Sequence, residues 1–495
     1  MQVRFSSWPH LFILLTIFLL ASLFQADRSA AAPPNTPPPN IVMIFADDVS
    51  WNDLGCYGHP SIRTPNLDRL AKEGLRFDNA YLTISSCSPS RCSVITGRYP
   101  HNTGAPELHT PLPEGQVLFP QLLRDAGYYT VISGKQHMGN YALTAFDLVS
   151  KGKGPGREAD WVPILKDRPR DKPFFCWFAS VDAHRAWQEV KEFEPHQPSD
   201  VVVPPYLIDS EETRRDLAQY YDEISRIDYF TGKILDELDA QGIADNTLVM
   251  FFADNGRPFP RCKTRLYDSG IKTPLIVRWP AGIKAGGVSN SLVSSLDVGP
   301  TFLDLAGVSA DQRIQGVSFK KVLKQPEANV RDFAFAEHNW HVFKAHERMV
   351  RSGDWLYIRN AWPEQRNLCV ESIDFPSGEV LWDRFKAGKL NANQQDVFLK
   401  PRPREELYRV SEDPHQFHNL ALQPAHAADL SRLRQALNQW TLETGDTIPE
   451  NPTPDRNQRP GEPKPPEFEH REMPGDAKQA QKINARGPVL STLID

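Results

Sequence analysis

The chain has 495 residues, of which 40% are hydrophobic and 24% are charged, and its formal net charge is −6 at pH 7. This length and composition predict a globular protein with a large core and more than one domain. Because no basic run dominates the sequence, the charge balance argues against a nucleic-acid partner, while a local basic pocket for an anion is still allowed.

The N-terminus has the pattern of a secretory signal peptide over residues 1–32. Arg4 is the positive end, Leu11 to Phe24 form an apolar core, and Ser29 to Ala32 offer small residues for cleavage. That core is too short for a stable membrane span, although an uncleaved anchor is an alternative. A proline-rich linker follows over residues 33–39. We therefore expect an exported mature protein in a periplasmic, secreted or lysosome-like compartment.

Apolar runs typical of buried strands alternate with helical patterns from residue 40 to about residue 330. Asn40 to Asp47 and Thr247 to Ala253 are continuous apolar runs followed by acids. Glu211 to Gln241 carries apolar residues at helical spacing. Other strands are predicted at Tyr128 to Ser133, Phe174 to Val181 and Thr273 to Trp279, and other helices begin at Pro65 and Phe119. The alternation predicts an α/β domain over residues 40–330, with a mostly parallel central sheet flanked by helices.

The pattern changes after about residue 330. Arg348 to Arg351 and Trp355 to Arg359 flank Gly353 as in a hairpin, and Glu406 to Val410 is a further predicted strand. Pro424 to Thr444 has a helical apolar face. These elements predict a smaller α+β domain over residues 331–445. Prolines and charges dominate residues 446–495, where we expect a poorly ordered tail.

The most informative stretch is Ser85-Ser86-Cys87-Ser88-Pro89-Ser90-Arg91, which continues into a helical segment. Pro89 suits the first position of that helix, so Cys87 would lie at its N-terminus, where backbone N–H groups favour an anion. Arg91 would lie one helical turn further on, on the face of Cys87. Taken alone, a cysteine ahead of a helix is more often a buried structural residue.

Other polar residues at the ends of predicted strands add to this motif. Sites in parallel sheets form beyond the carboxyl ends of the strands, and oxygen ligands at those ends suit calcium or magnesium. These oxygen ligands are Asp47, Asp48, Asp254 and Asn255. The basic candidates are Lys135, His137, His184 and Lys263. A single lysine or histidine is more often a surface or structural residue, so the prediction depends on the combination.

Cys-x-Pro-Ser-Arg at residues 87–91 and Gly-Lys-x-His at residues 134–137 resemble the two signatures of the type I, formylglycine-dependent sulfatases. The resemblance extends from about Asn40 to Thr444. It implies an alkaline-phosphatase-like fold and hydrolysis of a sulfate ester or sulfamate through a formylglycine sulfate intermediate. Cys87 would be oxidised by a formylglycine-generating or anaerobic sulfatase-maturing enzyme. The implied metal is Ca²⁺, or alternatively Mg²⁺, and its ligands would be Asp47, Asp48, Asp254, Asn255 and residue 87.

The resemblance also implies a role for each remaining residue. One hydroxyl of the hydrated aldehyde at residue 87 would attack sulfur, with Asp254 as the base, and the second hydroxyl would later expel sulfate. Arg91 would hold the oxygen atoms of residue 87 and the metal carboxylates. The other implied roles are sulfate binding by Lys135 and Lys263, polarisation of the nucleophile by His137, and protonation of the leaving group by His184.

Several stretches resemble the sulfamidases, or heparan N-sulfatases, among them residues 85–91, Leu108-His109 and residues 254–260. N-Sulfoglucosamine is therefore the first substrate to consider, with an O-sulfate on another polysaccharide as an alternative. The sequence departs from these relatives at Lys263, where sulfamidases tend to carry arginine, and at Ala183, where sulfatases often have proline. The candidate residues for binding the sugar are His109, Glu337, His338 and His341.

Two hypotheses from other classes stay open: a phosphate or phosphonate ester hydrolase of the same superfamily, and a non-catalytic protein that binds sulfated glycans. The lysines and histidines of the sulfate-binding set argue against the first. The intact acids, bases and Cys87 argue against the second, because a binding protein would not need them all. The six cysteines cannot be paired from sequence, and five remain if Cys87 is modified, so at least one should stay unpaired.

Overall fold

The computed structural model describes residues 1–2 and 37–491. The signal peptide predicted for residues 1–32 and most of the linker predicted for residues 33–39 lie outside the described residues. The strands are, in chain order, β1 (Asn40–Ala46), β2 (Leu75–Phe77), β3 (Ala80–Tyr81), β4 (Tyr129–Gly134), β5 (Leu148–Ser150), β6 (Phe174–Ala179), β7 (Thr247–Ala253), β8 (Leu275–Arg278), β9 (Gly287–Ser289), β10 (Val293–Ser294), β11 (Ala334–His338), β12 (Glu347–Ser352), β13 (Trp355–Asn360) and β14 (Glu405–Arg409).

The helices connect these strands and cover the sheets. They are α1 (Pro65–Lys72), α2 (Cys87–Thr96), α3 (Pro100–Thr103), α4 (Phe119–Asp125), α5 (Asn140–Leu143), α6 (Trp161–Asp167), α7 (Glu211–Ala240), α8 (Asp268–Ile271), α9 (Val298–Leu305), α10 (Lys320–Lys324), α11 (Pro376–Lys386) and α12 (Ala427–Thr444). Within residues 1–2 and 37–491, no helix is long and apolar enough to cross a membrane.

An eight-stranded sheet lies at the centre of the fold, in the order β5-β4-β6-β1-β7-β8-β2-β9. Every strand of this sheet except β8 runs in the same direction. The prediction of a mostly parallel central sheet is therefore confirmed. Strands β6, β1 and β7 are neighbours, so the segments that follow them meet at one edge of the sheet.

Both faces of this sheet are covered, which explains why its central strands are apolar throughout. In β1, Ile41, Met43 and Phe45 pack into one core, and Val42, Ile44 and Ala46 pack into the other. The first core includes residues of α2, α4 and α9, and the second includes residues of α1, α6 and α7. The two cores hold the carboxyl ends of the strands in fixed positions.

A second sheet is antiparallel, in the order β11-β12-β13-β14, and α12 packs against it. Gly353 turns the hairpin between β12 and β13 with a φ of 55°, as its position in the sequence predicts. The helix predicted from Pro424 starts as a short 3₁₀ turn, Pro424–His426, before α12 begins. The smaller C-terminal α+β region is therefore confirmed.

The tail after residue 445, which its composition predicts to be poorly ordered, contacts the body of the fold over the part that the structure describes, up to residue 491. The buried Arg98 guanidinium donates hydrogen bonds to the carbonyl oxygen of Ile483 at 2.8 Å and to Asn484 Oδ1 at 2.9 Å. The Asn102 side chain donates to the carbonyl oxygen of Ala480 at 2.8 Å. Polar side chains of the body therefore satisfy the backbone of this proline-rich segment, an interaction that apolar periodicity does not reveal.

Candidate active site

Cys87 is the first residue of α2 and is buried at the carboxyl edge of the central sheet. Ser86 is the N-cap residue, and its carbonyl oxygen accepts the first helical hydrogen bond, from Ser90 N at 2.9 Å. Pro89 is thus the third residue of the helix and not the first, as the sequence suggested. A proline is tolerated there because N–H groups in the first turn have no helical acceptor. The predicted position of Cys87 at the helix N-terminus is confirmed.

Two acids that follow β1 lie next to Cys87. Ligand atoms of Asp47, Asp48 and Cys87 all lie within 4.8 Å of one another, and the three side chains are buried. The residues that follow β7 join this cluster, because Asp254 Oδ1 accepts a hydrogen bond from Asp48 N at 3.2 Å and the Asn255 amide contacts Asp48 Oδ1. The sheet therefore brings together all five residues predicted to hold a metal.

The cluster fits a divalent cation, judged by its unpaired oxygen atoms. Asp47 Oδ1 and Asn255 Oδ1 are buried, and neither has a hydrogen-bond donor. A buried oxygen without a donor is costly, and a carboxylate more so. Oxygen donors of this kind are the ligands that calcium and magnesium prefer.

Each carboxylate of the cluster has its own cation. Arg91 Nε donates to Asp254 Oδ2 at 2.8 Å, Lys263 Nζ donates to Asp48 Oδ2 at 2.8 Å, and the Lys135 ammonium contacts Asp47. Burial and the neighbouring Asp47 raise the pKa of Asp254 to about 6, although Arg91 opposes this shift. Burial would also raise the pKa of Asp47, but Lys135, His184 and Arg91 lower it below its usual range.

The thiol of Cys87 is a poor nucleophile in this setting. Burial raises its pKa to about 12, and the nearby Lys135 and Lys263 only partly oppose the shift. The reactive form of cysteine is the thiolate. An unmodified Cys87 would therefore remain protonated at neutral pH.

Three histidines surround the cluster. The ring nitrogens His109 Nδ1 and His137 Nε2 are 2.7 Å apart, and His137 Nδ1 is buried without a partner. Burial and Lys135 lower the pKa of His137 to about 3. Lys263 and burial lower the pKa of His184 to about 4, so this ring is neutral at neutral pH.

The candidate sugar-binding residues fall into two groups. His109 lines the cavity described below, and His341 Nδ1 lies 2.7 Å from Ser86 Oγ, beside Cys87. Glu337 and His338 are instead buried and occupied by other partners. Both carboxylate oxygens of Glu337 are hydrogen-bonded, to His101 at 2.7 Å and to Asn339 at 2.8 Å, and His338 Nδ1 lies 2.8 Å from Glu347. Glu337 and His338 are therefore not among the residues that line this cavity.

Glu371 is a buried residue of this site that the sequence did not indicate. Its Oε1 lies 3.4 Å from Lys263 Nζ, and its Oε2 is buried without a hydrogen-bond donor. Burial would raise the pKa of Glu371, but Lys263 and His341 lower it to about 2. The residue sits in a 3₁₀ turn, Val370–Ser372, within a stretch that has no motif and no periodic pattern. Only the folded chain shows that it faces Lys263.

A cavity of about 750 Å³ opens beside these groups. Its size is within the range of small-molecule sites, which span roughly 300–1,000 Å³. The residues that line it are Asp47, His109, Gly134, Lys135, Gln136, His137, Lys151, Pro155, Arg157, Val181, Asp182, His184, Arg185, Ala186, Gln188 and Glu223. The lining thus combines Lys135, His137 and His184 with the further cations Lys151 and Arg157, whereas Lys263 is not part of it.

Two buried ion pairs fix the wall that carries His184. The Asp182 carboxylate accepts from Arg226 at 2.6 and 2.7 Å, and Arg185 pairs with both oxygens of Asp216 at 2.5 and 2.7 Å. Bidentate pairs of this kind restrict orientation as well as position. They hold the segment on both sides of His184, and the sequence motifs did not include them.

Comparisons with known proteins agree with this geometry. Residues 39–154 and 159–308 match the family described as sulfatase, and residues 262–359 match the C-terminal region of N-sulphoglucosamine sulphohydrolase. The human N-sulphoglucosamine sulphohydrolase is 31% identical over 461 residues, which cover 83% of this chain and 91% of that protein. An ulvan-active sulfatase of Formosa agariphila is 30% identical over 474 residues, covering 83% of this chain and 76% of that protein.

Solved structures share the fold at lower identity. One, described as a complex with its substrate D-glucosamine-2-N,6-O-disulfate, has a TM-score of 0.62 and 21% identity, covering 82% of this chain and 98% of that one. The phosphonate monoester hydrolase of Agrobacterium radiobacter has a TM-score of 0.62 and 18% identity, covering 83% of this chain and 98% of that one. Because the sequence match covers more than half of the chain, this protein belongs to the sulfatase family of hydrolytic enzymes.

Proposed function

We propose that the protein is a sulfohydrolase that releases inorganic sulfate from a sulfated saccharide, with an N-sulfoglucosamine-type residue as the first candidate substrate. The observation that carries this proposal is the position of Cys87, at a helix N-terminus, within 4.8 Å of Asp47 and Asp48. The match of residues 262–359 to the C-terminal region of N-sulphoglucosamine sulphohydrolase supports the choice of substrate. An O-sulfate on another polysaccharide is the alternative, and the names of the ulvan-active relatives favour it.

The nucleophile of this reaction requires a change at residue 87, because the buried thiol holds its proton. A formylglycine-generating or anaerobic sulfatase-maturing enzyme would convert Cys87 to formylglycine, whose hydrated aldehyde supplies a hydroxyl that can attack sulfur. Cys87 is the first residue of α2, and the N–H groups of a first helical turn stabilise negative charge at such a position. The same turn would therefore favour the charged form of the nucleophile.

The residues around the cluster of acids would hold Ca²⁺, or alternatively Mg²⁺. The proposed ligands are Asp47, Asp48, Asp254, Asn255 and residue 87, and the unpaired oxygens Asp47 Oδ1 and Asn255 Oδ1 support this set. When bound, the cation would lower the pKa of a coordinated hydroxyl. Arg91 orients Asp254 through their 2.8 Å hydrogen bond.

The remaining residues of the site either bind the sulfate group through their charge or transfer protons. Lys135 and Lys263 attract the sulfate group, and His137 has a free buried nitrogen, Nδ1, that can hydrogen-bond the nucleophile. Asp254 is buried in the cluster beside residue 87 and is held by Arg91, so it is placed to accept the proton of the nucleophile. His184 donates a proton to the leaving group once the negative charge of the sulfate offsets the effect of Lys263 on its pKa.

The sugar would occupy the cavity of about 750 Å³, with His109 in its lining and His341 beside residue 87. The mature protein would act outside the cytoplasm, a proposal that rests on the N-terminal sequence pattern. The domain boundaries, with a catalytic domain over residues 40–330 and a C-terminal domain over residues 331–445, also stay a proposal. Limited proteolysis would test them, because boundaries lie in accessible linkers.

Two measurements test this proposal: the chemical state of residue 87, and the rate of sulfate release from several substrates. The protein is co-expressed with a maturing enzyme, and the tryptic peptide that contains residue 87 is analysed by mass spectrometry for loss of sulfur and gain of an aldehyde. Sulfate release is then measured on N-sulfoglucosamine, on O-sulfated sugars and on a phosphonate ester. We expect turnover of a sulfated sugar that Cys87→Ala abolishes, while Cys92→Ala, a change in the apolar core of the same helix, retains it. An unmodified thiol in an active enzyme, or hydrolysis of the phosphonate ester alone, would overturn the proposal.

A further inference from the structure

The catalytic cavity continues beyond the sulfate-binding groups to a basic loop over residues 151–157, with the sequence Lys-Gly-Lys-Gly-Pro-Gly-Arg. Lys151 and Arg157 line the same cavity as His184. Lys153, in the middle of the loop, is not part of the lining. Two cations of this loop therefore share one continuous space with the catalytic groups.

These two cations have no side-chain partner among residues 1–2 and 37–491. Lys151 and Arg157 are exposed, and within residues 37–491 neither forms an ion pair or a side-chain hydrogen bond. Two acids of the cavity are paired elsewhere, Asp47 with Lys135 and Asp182 with Arg226. The positive charge of the loop is therefore available to a ligand.

The third acid that faces the cavity does not cancel this charge. The Glu223 carboxylate accepts a hydrogen bond from Gln188 N and lies 3.4 Å from Arg226. Burial and the neighbouring Asp182 raise the pKa of Glu223, which favours its neutral form. The rim of the cavity is thus positive on the side of the loop.

The backbone of the loop is hydrogen-bonded to the segment that follows β6, at the carboxyl ends of the strands of the central sheet. Gly156 O accepts a hydrogen bond from Val181 N at 3.0 Å, and Lys153 O accepts one from Ala159 N at 3.0 Å. Gly152 has a φ of 77°, and a Cβ at this position would come within 2.5 Å of Arg157 Cβ. Only glycine fits at residue 152, because any larger side chain would clash with Arg157. A loop held in this way loses little conformational entropy when a ligand binds.

We propose that Lys151 and Arg157 form a second anion subsite. This subsite binds a sulfate or carboxylate group on the sugar next to the one from which sulfate is released. The inference rests on the proposed function, because it assigns the sulfate of the reaction to Lys135, His137 and His184 in the same cavity. It makes the preferred substrate a polyanionic oligosaccharide and not a sulfated monosaccharide. Arg157 can bind either anion with two N–H groups, and Lys151 adds a point charge.

The test uses disaccharides that share one sulfated sugar and differ only in its neighbour, which is neutral, sulfated or carboxylated. In the matured enzyme, kcat/KM should be higher for the two anionic neighbours, and added salt should reduce the difference. In the Lys151→Ala/Arg157→Ala double variant, the ratio of anionic to neutral kcat/KM should fall about two- to thirtyfold, as expected for two exposed ion pairs. The two anionic neighbours show whether the subsite prefers sulfate or carboxylate.

Lys153→Ala is the matched control, because Lys153 has the same charge in the same loop but lies outside the lining. An unchanged ratio in the double variant, or an equal loss in Lys153→Ala, would overturn the subsite. Calorimetric binding of the same disaccharides to Cys87→Ala separates this inference from the proposed function, because it needs no turnover. Charge-dependent binding without any hydrolysis by the matured enzyme would support the subsite and refute the sulfohydrolase. Hydrolysis of the sulfated sugar, together with an affinity that does not depend on the charge of the neighbouring sugar, would support the sulfohydrolase and refute the subsite.

Discussion

The buried ion pair between Arg91 and Asp254 allows a quantitative prediction. Both side chains are fully buried, Arg91 Nε lies 2.8 Å from Asp254 Oδ2, and the guanidinium lies 4.8 Å from the centre of the Phe45 ring. Removal of one partner of such a pair leaves an uncompensated buried charge and costs about 3–5 kcal/mol. We therefore expect Arg91→Met to lower the free energy of unfolding by about 3–5 kcal/mol at pH 8 in EDTA.

This loss should depend on pH in a defined direction. The pKa of Asp254 is raised from 3.8 to about 6 by burial and Asp47, against the effect of Arg91. Because the folded protein then binds a proton at Asp254 more readily than the unfolded chain, the contribution of Asp254 to the free energy of unfolding increases as the pH falls through about 6. In Arg91→Met the pKa of Asp254 is higher still and the increase is larger. The difference between the two proteins should therefore shrink at acidic pH.

Urea unfolding followed by tryptophan fluorescence, at pH 8 and at pH 5.5, measures both effects. Arg215→Met is the matched control, because its i,i+4 pair with Glu211 is exposed, with a distance of 2.9 Å. Such pairs contribute about 0.3–0.5 kcal/mol. A loss in Arg91→Met no larger than in the control, or a loss that does not change with pH, would refute the argument that the catalytic acids are held by buried charge pairs.

The remaining predictions concern proton transfer. His184→Ala should lower kcat for a poor leaving group by about 10²–10⁴ and spare an activated aryl sulfate; equal losses on both substrates would exclude a role as general acid. Since Lys263 and burial lower the pKa of His184 to about 4 before the sulfate binds, the loss of activity at high pH that deprotonation of His184 causes should occur at a higher pH in kcat than in kcat/KM for the poor leaving group, and losses at the same pH would contradict this. Glu371→Gln removes a negative charge that raises the pKa of His184, so the NMR titration of His184 should move to lower pH. Glu379→Gln, on the exposed side of α11, should leave that titration unchanged.

The sequence predicted the central part of the site because its signals are local. Runs that are apolar on both faces identify β1 and β7, and the acids directly after them must lie at one edge of a parallel sheet. Cys87 and Arg91 are separated by one helical turn, so their common face follows from the helix alone. Pro89 was misplaced because a proline fits any of the first positions of a helix, and the sequence does not say which one it takes.

Residues whose roles depend on distant partners could not be predicted. Glu371 contacts Lys263 through the packing of the C-terminal region, and no spacing in the sequence connects them. Glu337 and His338 are consecutive polar residues of β11, a pattern that suggests an exposed or functional edge. Their burial depends on partners in other elements, His101 of α3 and Glu347 of β12, which satisfy both side chains.

The structure of the tail after residue 445 also depends on partners that are distant in the sequence. Composition predicts disorder because the segment cannot form an apolar core of its own. The structure instead satisfies its carbonyl groups with the side chains of Arg98 and Asn102. Composition describes what a segment can bury by itself, and it carries no information about the donors that the rest of the chain provides.

The central claim is that residue 87 and the acids around it share one divalent cation. A crystal structure of the matured protein, grown with calcium, tests it most directly. We predict one ion at about 2.3–2.6 Å from Asp47 Oδ1, from Asn255 Oδ1 and from an oxygen atom of residue 87. A fully active enzyme whose residue 87 is still a thiol, or whose two unpaired oxygens are satisfied by water with no ion between them, would contradict the account.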